Sequence, residues 1–152
     1  MLSGFSPTLR WRYLALASTI VIVAAALVWL WLDRHKSEQR IAYGQSLYLM
    51  HCAACHGANL QGQPNWKEPL PSGRMPAPPH DANGHTWHHS DQELFTITKD
   101  GLGAVVPCYE SDMPAFRAAL SDDEITAVLA YIRSAWPKRE RDYQLERTRD
   151  AQ

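Results

Sequence analysis

Cys52-Ala53-Ala54-Cys55-His56 is a C-x-x-C-H run, the attachment sequence for a c-type haem. Two thiols three positions apart reach the two vinyl groups of one porphyrin and become thioethers. The adjacent histidine then meets the iron from the proximal face. A structural zinc site would need a second ligand pair at matching spacing, and the one remaining cysteine is Cys108. A thioredoxin-type pair would need a βαβ pattern around it, whereas the flanks here read as helix. The expected chemistry is one covalent haem c on Cys52 and Cys55, with His56 as an iron ligand.

Upstream, Arg10 and Arg12 precede an apolar stretch from Tyr13 to Leu32, interrupted by Ser18 and Thr19. As a helix this stretch rises about 30 Å, the hydrocarbon thickness of a bilayer. A cleaved signal peptide is the competing reading, since Ala24-Ala25-Ala26 could serve as a small-residue cleavage site. That triplet lies inside the apolar run, however, and signal h-regions are shorter. Trp29 and Trp31 near one end, with Trp11 and Tyr13 near the other, fit interfacial belts. Residues 1–36 are therefore read as an uncleaved signal anchor. From Asp33 onward the chain holds 13 Lys/Arg against 16 Asp/Glu, a net −3, which does not suggest nucleic-acid binding. Residues 33–136 carry 8 against 12, which points weakly to docking on a basic or neutral partner face, screened by salt.

Downstream, Ile41, Gly44-Gln45 and Leu47-Tyr48 run into the cysteines with helical spacing. Gly44 is out of place there, costing up to ~1 kcal/mol against Ala, and implies close approach of another helix. Gly57 to His89 is a Gly/Pro-punctuated loop, long for a compact domain unless it wraps something. Ser90-Asp91-Gln92-Glu93 is a capping box that predicts a helix from about Asp91 to Lys99, stopping at Gly101, with Leu94, Phe95 and Ile97 inward. A further helix opens at Ser121 with Asp122, Asp123 and Glu124 in its first turn. Ile125, Val128, Leu129 and Ile132 form its apolar face, and Trp136-Pro137 closes it. Residues 138–152 mix charges without a core pattern and are read as solvated helix or disorder.

The order helix, C-x-x-C-H, proline-rich loop, helix, Met-Pro, terminal helix resembles a class I c-type cytochrome over roughly Ile41 to Pro137. The local signatures are Gly44-x-x-Leu47-Tyr48, Ser111-Asp112-Met113-Pro114 and Leu129-Ala130-Tyr131-Ile132-Arg133. The resemblance implies an all-α fold of three to five helices around one covalent haem, here in 37–137 and preceded by a single transmembrane helix. It also implies a contact between Gly44 and Tyr131 where the first and last helices cross. Lys/Arg counts on the two sides of the apolar stretch nearly balance. Similar cytochromes acquire haem outside the cytoplasmic membrane, so the haem domain is expected on the periplasmic or extracytoplasmic side.

His56 can only be proximal, because its backbone is fixed beside the thioethers. Met113 stands where the family places its distal methionine; Met75, also followed by proline, is the rival, and open or His-ligated iron remains a further alternative. A thioether raises the reduction potential by favouring Fe(II). Arg74, Trp66 and Trp87 are candidates for the haem propionates, or for aromatic packing around the ring. A carbonyl of the proline loop should accept from Nδ1 of His56. His80, His85, His88 and His89 offer a copper or zinc site as an alternative to loop-end surface histidines. Cys108 is expected buried near the methionine loop. The leading function is a tethered electron carrier, or a fixed electron-transfer subunit, with redox proteins, themselves integral membrane complexes, as partners and no small-molecule substrate. A haem-based ligand sensor or copper-handling module is the alternative. Peroxidase-like enzymology is disfavoured, since no distal acid/base pair is recognisable.

Overall fold

A computed structural model describes residues 7–151. Residues 1–6 of the expected anchor, and Gln152, lie outside the described residues. The described residues are helical, without strands: α1 (Pro7–His51), α2 (Ala53–His56), α3 (Asp91–Asp100), α4 (Asp122–Ser134) and α5 (Lys138–Asp150), with 3-10 turns at Thr86–His88 and Leu102–Ala104. The chain divides into two compact units, Met1–Glu38 and Gln39–Gln152. The charged stretch from Asp33 to Arg40 is helical, within α1.

In the first unit the apolar side chains of α1 have nothing to bury them. Trp11, Leu16, Ile20, Leu27 and Leu30 are all exposed, and the most apolar window has a mean hydropathy of 2.4 with none of it buried. A helix apolar on all sides belongs in a membrane or a large core. A signal sequence has the same character.

The second unit is built on caps and one core. Ser90 and Ser121 each accept from the backbone N–H three residues on, while Glu93 and Glu124 reach back to the cap N–H groups. Two capping boxes thus start α3 and α4 where unpaired donors would otherwise be left. Gly101 ends α3 with φ 86°. The apolar face of α4, Ile125, Val128, Leu129 and Ile132, is buried, each side chain contributing roughly 1.5–3 kcal/mol. On α3 it is Leu94 and Thr98 that are buried, while Phe95 packs against the core from a half-buried position. Thr98 satisfies its hydroxyl on the Leu94 carbonyl at 2.8 Å.

Two expectations are corrected here, and that for Gly44 is made specific. Gly44 does meet a second helix, but its partner is backbone: a Cβ would sit 1.9 Å from the Ala127 carbonyl oxygen of α4. Tyr131, further along α4, packs on Tyr48, with ring centroids 5.4 Å apart. One turn of α4 separates the two positions, and it is the peptide wall of the helix that the missing side chain admits. The tail is not free in solvent, because α5 lays one face on α3 and the Thr86–His88 turn. Gln144 is fully buried and donates to Asp91 at 2.7 Å, and Asp91 also pairs with Arg133. A polar anchor of this kind leaves no hydrophobic periodicity in the sequence. Cys108, finally, is exposed rather than buried. It sits in the turn closed by the Tyr109 N–H on the Val106 carbonyl, with φ 64°.

Candidate functional site

The C-terminal end of α1 delivers the cysteines. The Cys52 N–H closes on the Tyr48 carbonyl at 2.8 Å, and the short α2 then carries Cys55 and His56. Tyr48 is fully buried and donates its hydroxyl to the Gly57 carbonyl at 2.9 Å, fixing the far end of α2. Burial, with Cys55 adding to it, pushes the Cys52 thiol up to about 11, whereas Cys55 is exposed. Neither cysteine is in a disulfide.

His56 is buried, and its Nδ1 lies 2.8 Å from the Pro78 carbonyl oxygen. A carbonyl can only accept, so Nδ1 carries the proton and the lone pair is left on Nε2, the atom free to meet a metal. Burial holds the His56 pKa below 6.5, opposed by the Pro78 bond. The Pro78–Pro79 segment is itself clamped. A Cβ on Gly62 would lie 2.5 Å from the Pro79 nitrogen, and one on Gly84 would lie 1.9 Å from the Pro79 carbonyl oxygen.

These groups open on a cavity of ≈ 350 Å³. Cys52, Cys55 and His56 line it together with Trp66, Met75 and Met113, and with Leu94, Ile97, Phe116 and Leu129 from α3, α4 and the segment between them. Met113 packs against the hydrophobic core, and its N–H donates to Ser111 Oγ at 3.1 Å. Met75 is 38 % exposed. Of the expected propionate residues, Arg74 is engaged by carboxylates, whereas Trp87 keeps a buried Nε1 without a hydrogen-bond partner. Arg74 pairs with Asp112 and, at 3.8 Å, Glu110, tying the proline loop to the methionine loop. Trp87 sets its ring against His88 and Tyr143. Neither belongs to the cavity lining; Trp66 does, stacked on His85 at 5.6 Å.

The histidine cluster disperses. Among the described residues no three His, Cys, Asp or Glu converge as metal ligands. His85 and His89 line the cavity, and burial lowers the pKa of both. His80 lines the cavity too, and its ring stacks on His56 with centroids 3.9 Å apart at 22°. Burial first, then the neighbouring imidazoles of His56 and His85, holds its pKa well below 6.5, so the ring is neutral. Nothing in the spacing of residues 56 and 80 announces this pair.

An apolar cavity walled by helices, with two free thiols and an imidazole presenting Nε2 at its edge, fits a covalently attached porphyrin. Fold and site define a monohaem protein of the c type. A family model, Cytochrome c, matches residues 41–136, and the chain belongs to that family. Its cofactor is haem c, covalently bound, and its general function is haem-based electron transfer. Searches of curated proteins and of solved structures returned no match.

Proposed function

We propose that this protein is a membrane-tethered monohaem electron carrier, or a fixed subunit with the same role. In this reading Cys52 and Cys55 carry the haem thioethers, His56 is the proximal iron ligand and Met113 the distal one. The observation that carries it is the shared cavity: both cysteines, His56 and Met113 line one apolar space, with His56 Nδ1 already engaged on Pro78. Bound haem c supplies a one-electron Fe(III)/Fe(II) couple. The protein's part would be to hold the ring through Cys52 and Cys55 and to offer His56 and Met113 to the iron, which would leave little room for oxygen or peroxide to bind. No enzymatic turnover or small-molecule substrate is assigned.

Met113 is preferred to Met75 because it packs against the core beside a fixed backbone, whereas Met75 is more than a third exposed. Its neutral, soft sulfur favours Fe(II). Of the three residues considered for the propionates or ring packing, Trp66 is retained, and Arg74 acts through the loop that carries Met113. Residues 1–36 form the anchor, 37–137 the haem domain and 138–152 an extension resting on it. The exposed apolar surface of α1 supports the anchor. The haem domain is assigned to the extracytoplasmic face of the cytoplasmic membrane, and redox proteins in that membrane are its partners.

The test is an optical spectrum of full-length protein extracted from membranes, beside M113A and M75A. The wild type should show the weak far-red sulfur-to-Fe(III) band and ignore carbon monoxide when reduced. M113A should lose the band and bind carbon monoxide, and M75A should do neither. A wild type that binds carbon monoxide sinks the ligand assignment. A mass lacking residues 1–36 sinks the tether.

A further inference from the structure

His80 is a polar side chain set directly behind the proximal ligand. Its ring lies nearly parallel to His56 at 3.9 Å between centroids, while Nδ1 sits 2.8 Å from Thr86 Oγ1. Thr86 is buried, and its hydroxyl donates onward to the Pro79 carbonyl at 3.4 Å. The hydroxyl proton is thereby used, so Thr86 Oγ1 accepts and His80 Nδ1 donates. The His80 carbonyl in turn accepts from Trp136 Nε1 at 2.7 Å, and Trp136 is 2 % exposed. Side chain and backbone of His80 are thus both anchored, one on the Thr86–His88 turn and the other on the core.

The same segment holds the other constraint on His56. Pro78, two residues before His80, accepts from His56 Nδ1. That hydrogen bond fixes one edge of the imidazole but leaves rotation about the bond direction open. A flat ring stacked on its face removes that freedom. An aliphatic side chain of similar volume would fill the space without offering a flat face for the imidazole to lie on.

We propose that His80 is a positioning residue for the proximal ligand, its stacked ring fixing the plane of His56. This rests on His56 being the proximal ligand. Removing the stack should therefore turn the ligand plane and shift the midpoint potential, and loosening its anchor should do so by less.

The experiment is a spectroelectrochemical titration of holoprotein, wild type beside H80L, H80N and T86V, with ferric electron paramagnetic resonance on each. H80N keeps a donor near Thr86 but has no ring; T86V keeps the ring but removes its acceptor. Expected are altered g values that report a turned ligand plane and a shifted midpoint in H80L and H80N, with smaller changes in T86V, all with the far-red band in place. If H80L does not mature, H80N and T86V decide the matter. Midpoints and g values unchanged from wild type on an intact far-red band would overturn the role of His80 and leave the ligand assignment standing. A wild type without low-spin haem attached to Cys52 and Cys55 would overturn that assignment, and this proposal with it.

Discussion

At the scale of single residues, the site depends on atoms that carry no chemistry of their own. The carbonyl that meets His56 belongs to Pro78, and the strand of loop bearing it passes between two glycines. Gly62 has φ 69°, and any Cβ there would run into the backbone of Pro78 and Pro79. Left-handed strain on a non-glycine residue and displacement of a packed neighbour act together at this position. Gly62→Ala should cost about 2–3 kcal/mol in urea unfolding of the holoprotein, with a shifted midpoint potential because the Pro78 carbonyl moves. Unchanged unfolding and potential would mean that the loop has room the packing denies it.

At the scale of elements, helix starts are the best-specified features of the globular unit. Ser90 and Glu93 cap α3, and the Ser90 backbone N–H is the main reason the Glu93 carboxyl titrates below 4.5. The ionised form is favoured by folding, so its contribution is complete above 4.5 and is lost as pH falls through the lower folded value. Urea midpoints of wild type and E93Q should differ at neutral pH, and the gap should close as the medium is acidified below 4.5. A gap that stays constant with pH would show that the charge of Glu93 is irrelevant to the cap. By contrast α5 is held by Gln144, which donates to Asp91 of α3, rather than by an apolar stripe, so polarity there concealed a packed helix. The pairing of α1 with α4 likewise required more than pattern: Gly44 signalled a close approach, but only the packed helices identify the Ala127 peptide as what approaches.

At the scale of the whole haem unit, the cavity sits inside the core rather than beside it. Leu94, Phe116, Val128, Leu129 and Ile132 belong both to the buried core and to the cavity wall. Porphyrin is therefore part of the packing, and without it those side chains lose contacts on one face. The double variant C52A/C55A, made without attached haem, should keep most of its far-UV helical signal, since the caps are local. It should also lose near-UV fine structure and bind a hydrophobic dye, as loosely packed compact states do. A haem-free protein with sharp near-UV signals would show that the core closes on its own.

Local and covalent rules made the haem motif, both capped helices, the apolar face of α4 and the membrane-length stretch legible in the amino-acid order, because each depends on residues a few positions apart. Resemblance extended that to the family and its all-helical fold. What tertiary structure alone decided lies between residues far apart in the chain: the Pro78 carbonyl on His56, the ring of His80 behind it, Arg74 turned to Asp112, and α5 resting on α3 through Gln144. A hydrogen bond or a stacked ring leaves no period in a sequence. It exists only once folding has brought its two partners together.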